Sequence, residues 1–281
     1  MFTIIFDLDG TLVDTAPDLI DTLNFTLKQH KLPTLPYEEA RRLIGGGVRA
    51  MLEGAMVVKG RSTSPADIDS LYGLFVAHYG EHIADRSRPF PGVEVELDRL
   101  VTAGYRLAVC TNKLEWLSRR LMDALALSDR FAAICGPDTF GVQKPDPRIL
   151  RSTIARVGGE PARAIMVGDS ITDIRTARAA SVPVIAVDFG YTDVPITTLG
   201  PDRIISSFAE LPEAIVSLVE AVSACRTPRA ATIFVHVGAH AIFARGPTAN
   251  SRWSLASTAV REPRAGCAAA VLRVCPGTNS P

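Results

Sequence analysis

The chain has 281 residues, 47% of them hydrophobic and 21% charged, and its formal net charge is zero. That is enough apolar material to bury a sizeable core in one large domain or two smaller ones, while no apolar run approaches the ~20 residues of a membrane span. The N-terminus shows no basic segment or cleavage site, and five cysteines without paired spacing argue against a disulfide framework, so the chain reads as cytoplasmic.

In chain order, residues 2–6 (FTIIF) read as a buried strand, followed at once by acids at Asp7, Asp9 and Asp14. Residues 16–88 then carry no convincing strand and at least three helical patterns, at 17–30, 37–44 and 65–82, with Pro17 in the first turn of the first. From residue 89 onward short apolar runs (105–110, 131–135, 163–168, 182–187 and 203–206) alternate with helical patterns at 93–103, 114–126, 147–157, 171–180 and 208–222. Short continuous strands alternating with helices predict a parallel sheet covered on both faces. The expected fold is therefore α/β, a Rossmann-like parallel core formed by residues 1–15 and 89–223, with an inserted all-helical cap at 16–88. Residues 224–281 hold seven arginines, no lysine and a single acid, a net of +6 against −6 for residues 1–223. A break of that size suggests a segment with a different history.

Four stretches fall at predicted strand ends or the loops that follow: DLDGT after the first strand, Thr111–Asn112, the run KPDP beginning at Lys144, and GDSITD with Asp169 and Asp173. Each alone is an ordinary turn or helix cap. Together, along a parallel sheet whose ligands bind beyond the carboxyl ends of the strands, they form one site. Asp7, Asp9, Asp169 and Asp173 would crowd four carboxylates into one crevice, a repulsion that needs compensation. All-oxygen ligands of this kind suit Mg²⁺, which keeps several waters and completes its shell with substrate phosphate. Lys144 adds a fixed positive charge, and Thr111 and Asn112 offer donors to phosphoryl oxygens. A carboxylate nucleophile that forms an aspartyl-phosphate uses such an arrangement.

These four ordered motifs resemble those of the haloacid dehalogenase superfamily of phosphatases. DTAPDL, LIGGGVRAML and GVQKPDP are further similar to the phosphoglycolate phosphatase group within it. The resemblance runs from about residue 3 to 218. It implies that Asp7 is the nucleophile and a metal ligand, and that Asp9 is the general acid, then the base, with its carbonyl also on the metal. It further implies that Thr111 binds the phosphoryl group with Asn112 beside it, that Lys144 holds Asp7 and phosphate together, and that Asp169 ligates metal directly, with Asp173 a second ligand, directly or through water. The implied activity is Mg²⁺-dependent hydrolysis of a small phosphorylated metabolite, 2-phosphoglycolate, to glycolate and phosphate. Rival readings are a phosphatase for sugar phosphates or nucleotides, a phosphoglucomutase-like transferase, and a non-catalytic regulatory module.

Asp14 reads as a structural acid bracing the cap linker. Arg49, beside the glycines 45–47, is either a cap-borne grip on a substrate carboxylate or a solvent-facing helix residue. Of His30, His78 and His82 only the last two have i,i+4 spacing, with no third ligand evident, and all three belong on the cap surface. Residues 224–281 resemble nothing in the family; they lack the basic clusters and aromatics of a nucleic-acid-binding arm, and read as a poorly ordered extension.

Overall fold

The computed structural model describes residues 1–60, 64–192, 194–226, 233–237, 240–244 and 256–257. Its elements are β1 (Thr3–Phe6), β2 (Val13–Asp14), α1 (Ala16–Gln29), α2 (Tyr37–Arg41), α3 (Val48–Val58), α4 (Pro65–Glu81), β3 (Arg88–Pro89), α5 (Val93–Thr102), β4 (Arg106–Cys110), α6 (Glu115–Ala124), β5 (Ala133–Cys135), α7 (Pro137–Phe140), α8 (Pro147–Arg156), β6 (Ala164–Gly168), α9 (Ile171–Ala180), β7 (Val184–Val187), β8 (Arg203–Ile205) and α10 (Leu211–Arg226). A separate compact unit from Cys225 onward contains β9 (Ile233–Val237), β10 (His240–Ala244) and β11 (Ala256–Ser257), an antiparallel three-stranded sheet in the order β11-β10-β9. Most of the extension read as poorly ordered, Cys267 and Cys275 included, lies outside the described residues.

The core is a six-stranded parallel sheet in the order β5-β4-β1-β6-β7-β8. The chain leaves β1 on one side for β4 and β5, then crosses to the other side for β6, β7 and β8. The order reverses at β1, and a crevice opens there beyond the strand ends. Alternate residues of each strand enter opposite faces: Ile4, Phe6, Leu107, Val109, Ile165 and Val167 join one apolar cluster, while Ile5, Ala108, Cys110, Ala164 and Met166 join the other. Burial on both faces is why these strands read as continuous apolar runs rather than as alternation.

Among the described residues of the cap, the regular elements between β2 and β3 are all helices. In α1 Leu19, Ile20, Leu23 and Leu27 recur at helical spacing and pack toward Ile68, Leu71, Phe75 and Tyr79 of α4, with Met51, Leu52 and Met56 of α3 filling the remaining side. A reciprocal Ser64–Asp67 capping box starts α4. His78 stacks on Phe25 with ring centroids 3.8 Å apart, and His82 pairs with Asp85; no third ligand joins them among the described residues.

Two chain crossings connect cap and core. There β2 pairs antiparallel with β3, Val13 opposite Pro89 and Asp14 opposite Arg88, a ribbon too short to be seen in the sequence. Asp18, buried at the start of α1, binds the return crossing: its carboxylate accepts from the Arg86 and Ser87 main-chain N–H groups and from the Ser87 hydroxyl. No described helix is long and apolar enough to cross a membrane.

Candidate active site

Asp7 is the first residue beyond β1, and its N–H donates to the Val167 carbonyl of neighbouring β6. The chain then turns through Gly10 at φ +80°. A side chain there would strain the backbone and place its Cβ 2.6 Å from an Asp169 oxygen, so only glycine lets the first loop close over the end of β6. Asp169 is the first residue after β6, held by the Thr11 hydroxyl (3.1 Å) and the Tyr191 N–H (2.7 Å). Asp173 lies one turn into α9 and closes a capping box with Ser170, accepting from its N–H (3.1 Å) and hydroxyl (2.6 Å). The cap of a helix thus fixes the position of a site carboxylate.

Carboxylate oxygens of Asp7, Asp169 and Asp173, all buried, lie within 4.8 Å of one another. Lys144, 2% exposed, reaches between two of them, its Nζ 2.6 Å from Asp173 Oδ1 and 2.8 Å from Asp7 Oδ1. The contact to Asp7 is within ion-pair distance but off the angle of a hydrogen bond, and Asp7 Oδ1 is left without a hydrogen-bond partner. Burial alone would depress the Lys144 ammonium, but Asp173 and Asp7 outweigh it and hold it well above the ordinary lysine range. Burial and then the Asp173 carboxylate push Asp7 well above the usual carboxylate range, against the pull of Lys144. The same two causes bring Asp169 up to about 7, although the Tyr191 N–H, Thr11 and Lys144 oppose them. Three buried carboxylates face one buried ammonium, an excess of two negative charges when all are ionised, and Asp7 Oδ1 has an ion pair but no hydrogen bond. That donor set and charge deficit fit a hard divalent cation.

The other predicted residues divide. Asp9 lies at the edge of this cluster, outside the three-carboxylate group; its Oδ1 accepts from the Thr15 hydroxyl (2.6 Å) and sits 2.9 Å from Lys113 Nζ. Thr111 is buried at the end of β4, where its hydroxyl oxygen accepts the Lys113 N–H (3.2 Å), which leaves its proton to donate. Asn112, expected beside Thr111 at the phosphoryl group, lines the inner cavity and has its side chain engaged within the protein. It donates to the carbonyls of Gly45 in the cap (3.1 Å) and Lys144 (3.2 Å), and accepts from Lys144 N (2.9 Å). Arg49 is not brought to the acids. Half exposed, it pairs with Asp69, sits over the Tyr72 ring and lines an outer cavity of about 600 Å³. It stands in the first turn of α3, whose Val48 and Met51 line the inner cavity, but its own side chain turns outward to Asp69. Asp14 accepts from the Tyr191 hydroxyl (2.7 Å), a bracing role on the cap linker.

Three residues of the site were not singled out in the sequence. Lys113 directly follows Thr111–Asn112, and a charge next to a strand-end motif was a usable signal. Tyr79 continues the apolar stripe of α4 and reads there as core. Tyr191 follows β7 and binds three neighbours through its hydroxyl: the main-chain N–H groups of Thr15 (2.6 Å) and Ala16 (2.9 Å) donate to it, and it donates to Asp14. Nothing in the sequence marks that closure across some 175 residues.

A parallel α/β core with an inserted helical cap, and buried acids at the ends of β1 and β6, defines a class of hydrolase. Residues 4–187 match the family model of haloacid dehalogenase-like hydrolases. The chain is 51% identical over 208 residues to the phosphoglycolate phosphatase of Mesorhizobium japonicum, covering 74% of this chain and 92% of that protein. It is 47% identical over 226 residues to that of Caulobacter vibrioides, covering 80% and 94%. A crystal structure of a predicted phosphoglycolate phosphatase from Haemophilus somnus superposes with a TM-score of 0.72 at 30% identity, over 76% of this chain and 97% of that one. The chain belongs to the haloacid dehalogenase-like hydrolase family.

Proposed function

We propose that the chain is a Mg²⁺-dependent phosphatase that hydrolyses 2-phosphoglycolate to glycolate and phosphate. The observation that carries the chemistry is the buried Asp7–Lys144–Asp173 arrangement, in which a single ammonium pairs with Asp7 Oδ1 and Asp173 Oδ1 while the three carboxylates leave two negative charges uncompensated. The choice of substrate is supported by relatives of that name at 51% and 47% identity, matched over nearly their whole length.

Asp7 and Asp169 would hold Mg²⁺ with the Asp9 carbonyl, and Asp173 would stand behind as a ligand, directly or through water. When bound, the ion supplies positive charge that offsets the carboxylates and the phosphoryl group. Asp7 attacks phosphorus, the bond from phosphorus to the ester oxygen breaks, and Asp9 gives its proton to the departing alkoxide. Asp9, now a carboxylate, takes a proton from water as that water attacks the aspartyl-phosphate, which releases inorganic phosphate and restores Asp7. Lys144 steadies Asp7 and the transferring group, and Thr111 donates its hydroxyl proton to a phosphoryl oxygen. Asn112 acts one step back, fastening the Lys144 loop and the cap glycines.

The inner cavity is walled by Asp7, Asp9 and Thr111 from the core and by Ile44, Gly45, Val48 and Met51 from the cap. A lid seated over the acids in this way opens to admit substrate and closes to exclude solvent. The free, buried Cys110 and Cys135 and the unpaired cysteine spacing support a cytoplasmic setting. Phosphate release from 2-phosphoglycolate, hexose phosphates and nucleotides, with and without Mg²⁺, tests the reading. Preference for hexose phosphates would overturn the substrate, and metal-independent turnover would overturn the chemistry.

A further inference from the structure

We propose that Lys113 reads the substrate's carboxylate; this rests on the phosphoglycolate reading and names the contact that makes the choice. Lys113 follows Asn112 on the loop after β4 and is 5% exposed. Its Nζ lies 2.9 Å from Asp9 Oδ1 and 2.9 Å from the hydroxyl of Tyr79 on cap helix α4, over whose ring it also sits at 4.4 Å. Among the described residues it is the one cation on the wall of the inner cavity, where the other charges are the carboxylates of Asp7 and Asp9 and the cap side is largely apolar. Lys144 is committed on the other side, to Asp7 and Asp173.

An ammonium carries three N–H donors. Tyr79 takes one as a hydrogen bond and Asp9 faces the ammonium as an ion pair, which leaves a donor for a ligand. Bracing Asp9 does not by itself account for a buried lysine, because the Thr15 hydroxyl already binds the same oxygen at 2.6 Å, and a buried charge is costly unless fully partnered. The chemistry of the ester places its second anion here. In a two-carbon phosphate acid the carboxylate carbon is two bonds from the ester oxygen that Asp9 protonates, so a cation bonded to Asp9 lies within its reach. Without that cation a substrate carboxylate would face Asp7 and Asp9 unscreened. Because Tyr79 comes from the cap and Lys113 from the core, the contact is complete only with the cap closed, which couples recognition to closure.

The test compares 2-phosphoglycolate with ethyl phosphate, the same two-carbon skeleton without the carboxylate, in wild type, Lys113→Met and Lys113→Gln with Mg²⁺ present. We expect both variants to lose about ten- to a hundredfold in kcat/KM on phosphoglycolate beyond any loss on ethyl phosphate, the scale of one bond to a charged group. Equal losses on the two esters would make Lys113 a support for Asp9 alone and overturn the proposal. A carboxylate-specific loss in Arg49→Ala with none in the Lys113 variants would do the same. A wild type indifferent to the carboxylate would overturn the phosphoglycolate reading itself, a different result from either. Should neither variant fold, a crystal structure of Asp7→Asn with bound phosphoglycolate decides. The carboxylate is expected within ~3.2 Å of Lys113 Nζ, and a carboxylate held elsewhere refutes the assignment.

Discussion

At the residue scale the site is a problem of charge. Asp7, Asp169 and Asp173 are packed closer than buried carboxylates tolerate, and Lys144 answers for only one of them. Replacing Asp7 by asparagine removes the proposed nucleophile and one repelling charge together. Turnover should fall by more than about a thousandfold, the scale of losing an attacking group, while the metal-free protein melts no lower than wild type. Phosphate release and a thermal melt check both halves, and appreciable turnover in a clean preparation would exclude the covalent route. The raised Asp169 makes a second prediction. Its carboxyl titrates near ~3.9 when unfolded but is held up to about 7 in the folded chain. Between those values the folded state keeps a proton that the unfolded state has lost, so stability of the metal-free protein falls as pH rises from about 4 to about 7. Asp7 shifts in the same direction. Mg²⁺ should therefore raise the melting temperature more at pH 8 than at pH 5. A larger effect at pH 5 would contradict the charge deficit.

At the scale of elements the informative parts are the two cap crossings. Asp18 accepts from two main-chain N–H groups and a hydroxyl of residues 86 and 87, while the Tyr191 hydroxyl accepts from the N–H groups of residues 15 and 16 and donates to Asp14. Asp18→Ala strands buried donors on the return crossing and should destabilise the chain by about 1.5–3 kcal/mol, the range for bonds to a charged acceptor. Urea unfolding measures this, and a loss under half a kcal/mol would show that water replaces the carboxylate. Tyr191→Phe keeps the ring, over which Arg41 of the cap is placed at 5.0 Å while also donating to the Gly190 carbonyl, but frees the linker. We expect a modest stability loss, and kcat and KM that change together, as befits a hinge. A change in KM alone would point to direct substrate contact instead.

For the whole molecule, the family match ends at residue 187 and the first compact unit at Ala224, close to the end of α10. A chain stopped after Arg226 should melt cooperatively and keep its kcat/KM within about twofold, a change too small to reflect more than ~0.4 kcal/mol in the transition state. A large loss of turnover would assign the arginine-bearing segment a part in the catalytic unit.

Much of this architecture was legible beforehand, because both of its signals are local. Six strands stood out as short runs such as IIF and AVC, since burial on both faces demands apolar residues at every position. The clustered acids Asp7 and Asp169 stood out because they follow strand ends directly. Helix α3, by contrast, went unnamed beside its glycines, and the four-residue α7 and the β2–β3 ribbon are too short to leave a period. The roles of Asn112, Arg49 and Lys113 could not be read from type or position. An amide, a guanidinium and an ammonium near the same glycine-rich cap are equally plausible partners for an anion until the fold shows which already has one. Asp69 claims Arg49, the Lys144 loop claims Asn112, and Lys113, held by Asp9 and Tyr79, is the one of the three whose ammonium faces the inner cavity. By itself, then, the sequence determined the sheet, the helical insert and the identity of the acids, because spacing along the chain encodes them. The tertiary structure decided which polar side chains are engaged and which remain to act, because that depends on partners up to 177 residues away, as Asp14 and Tyr191 are.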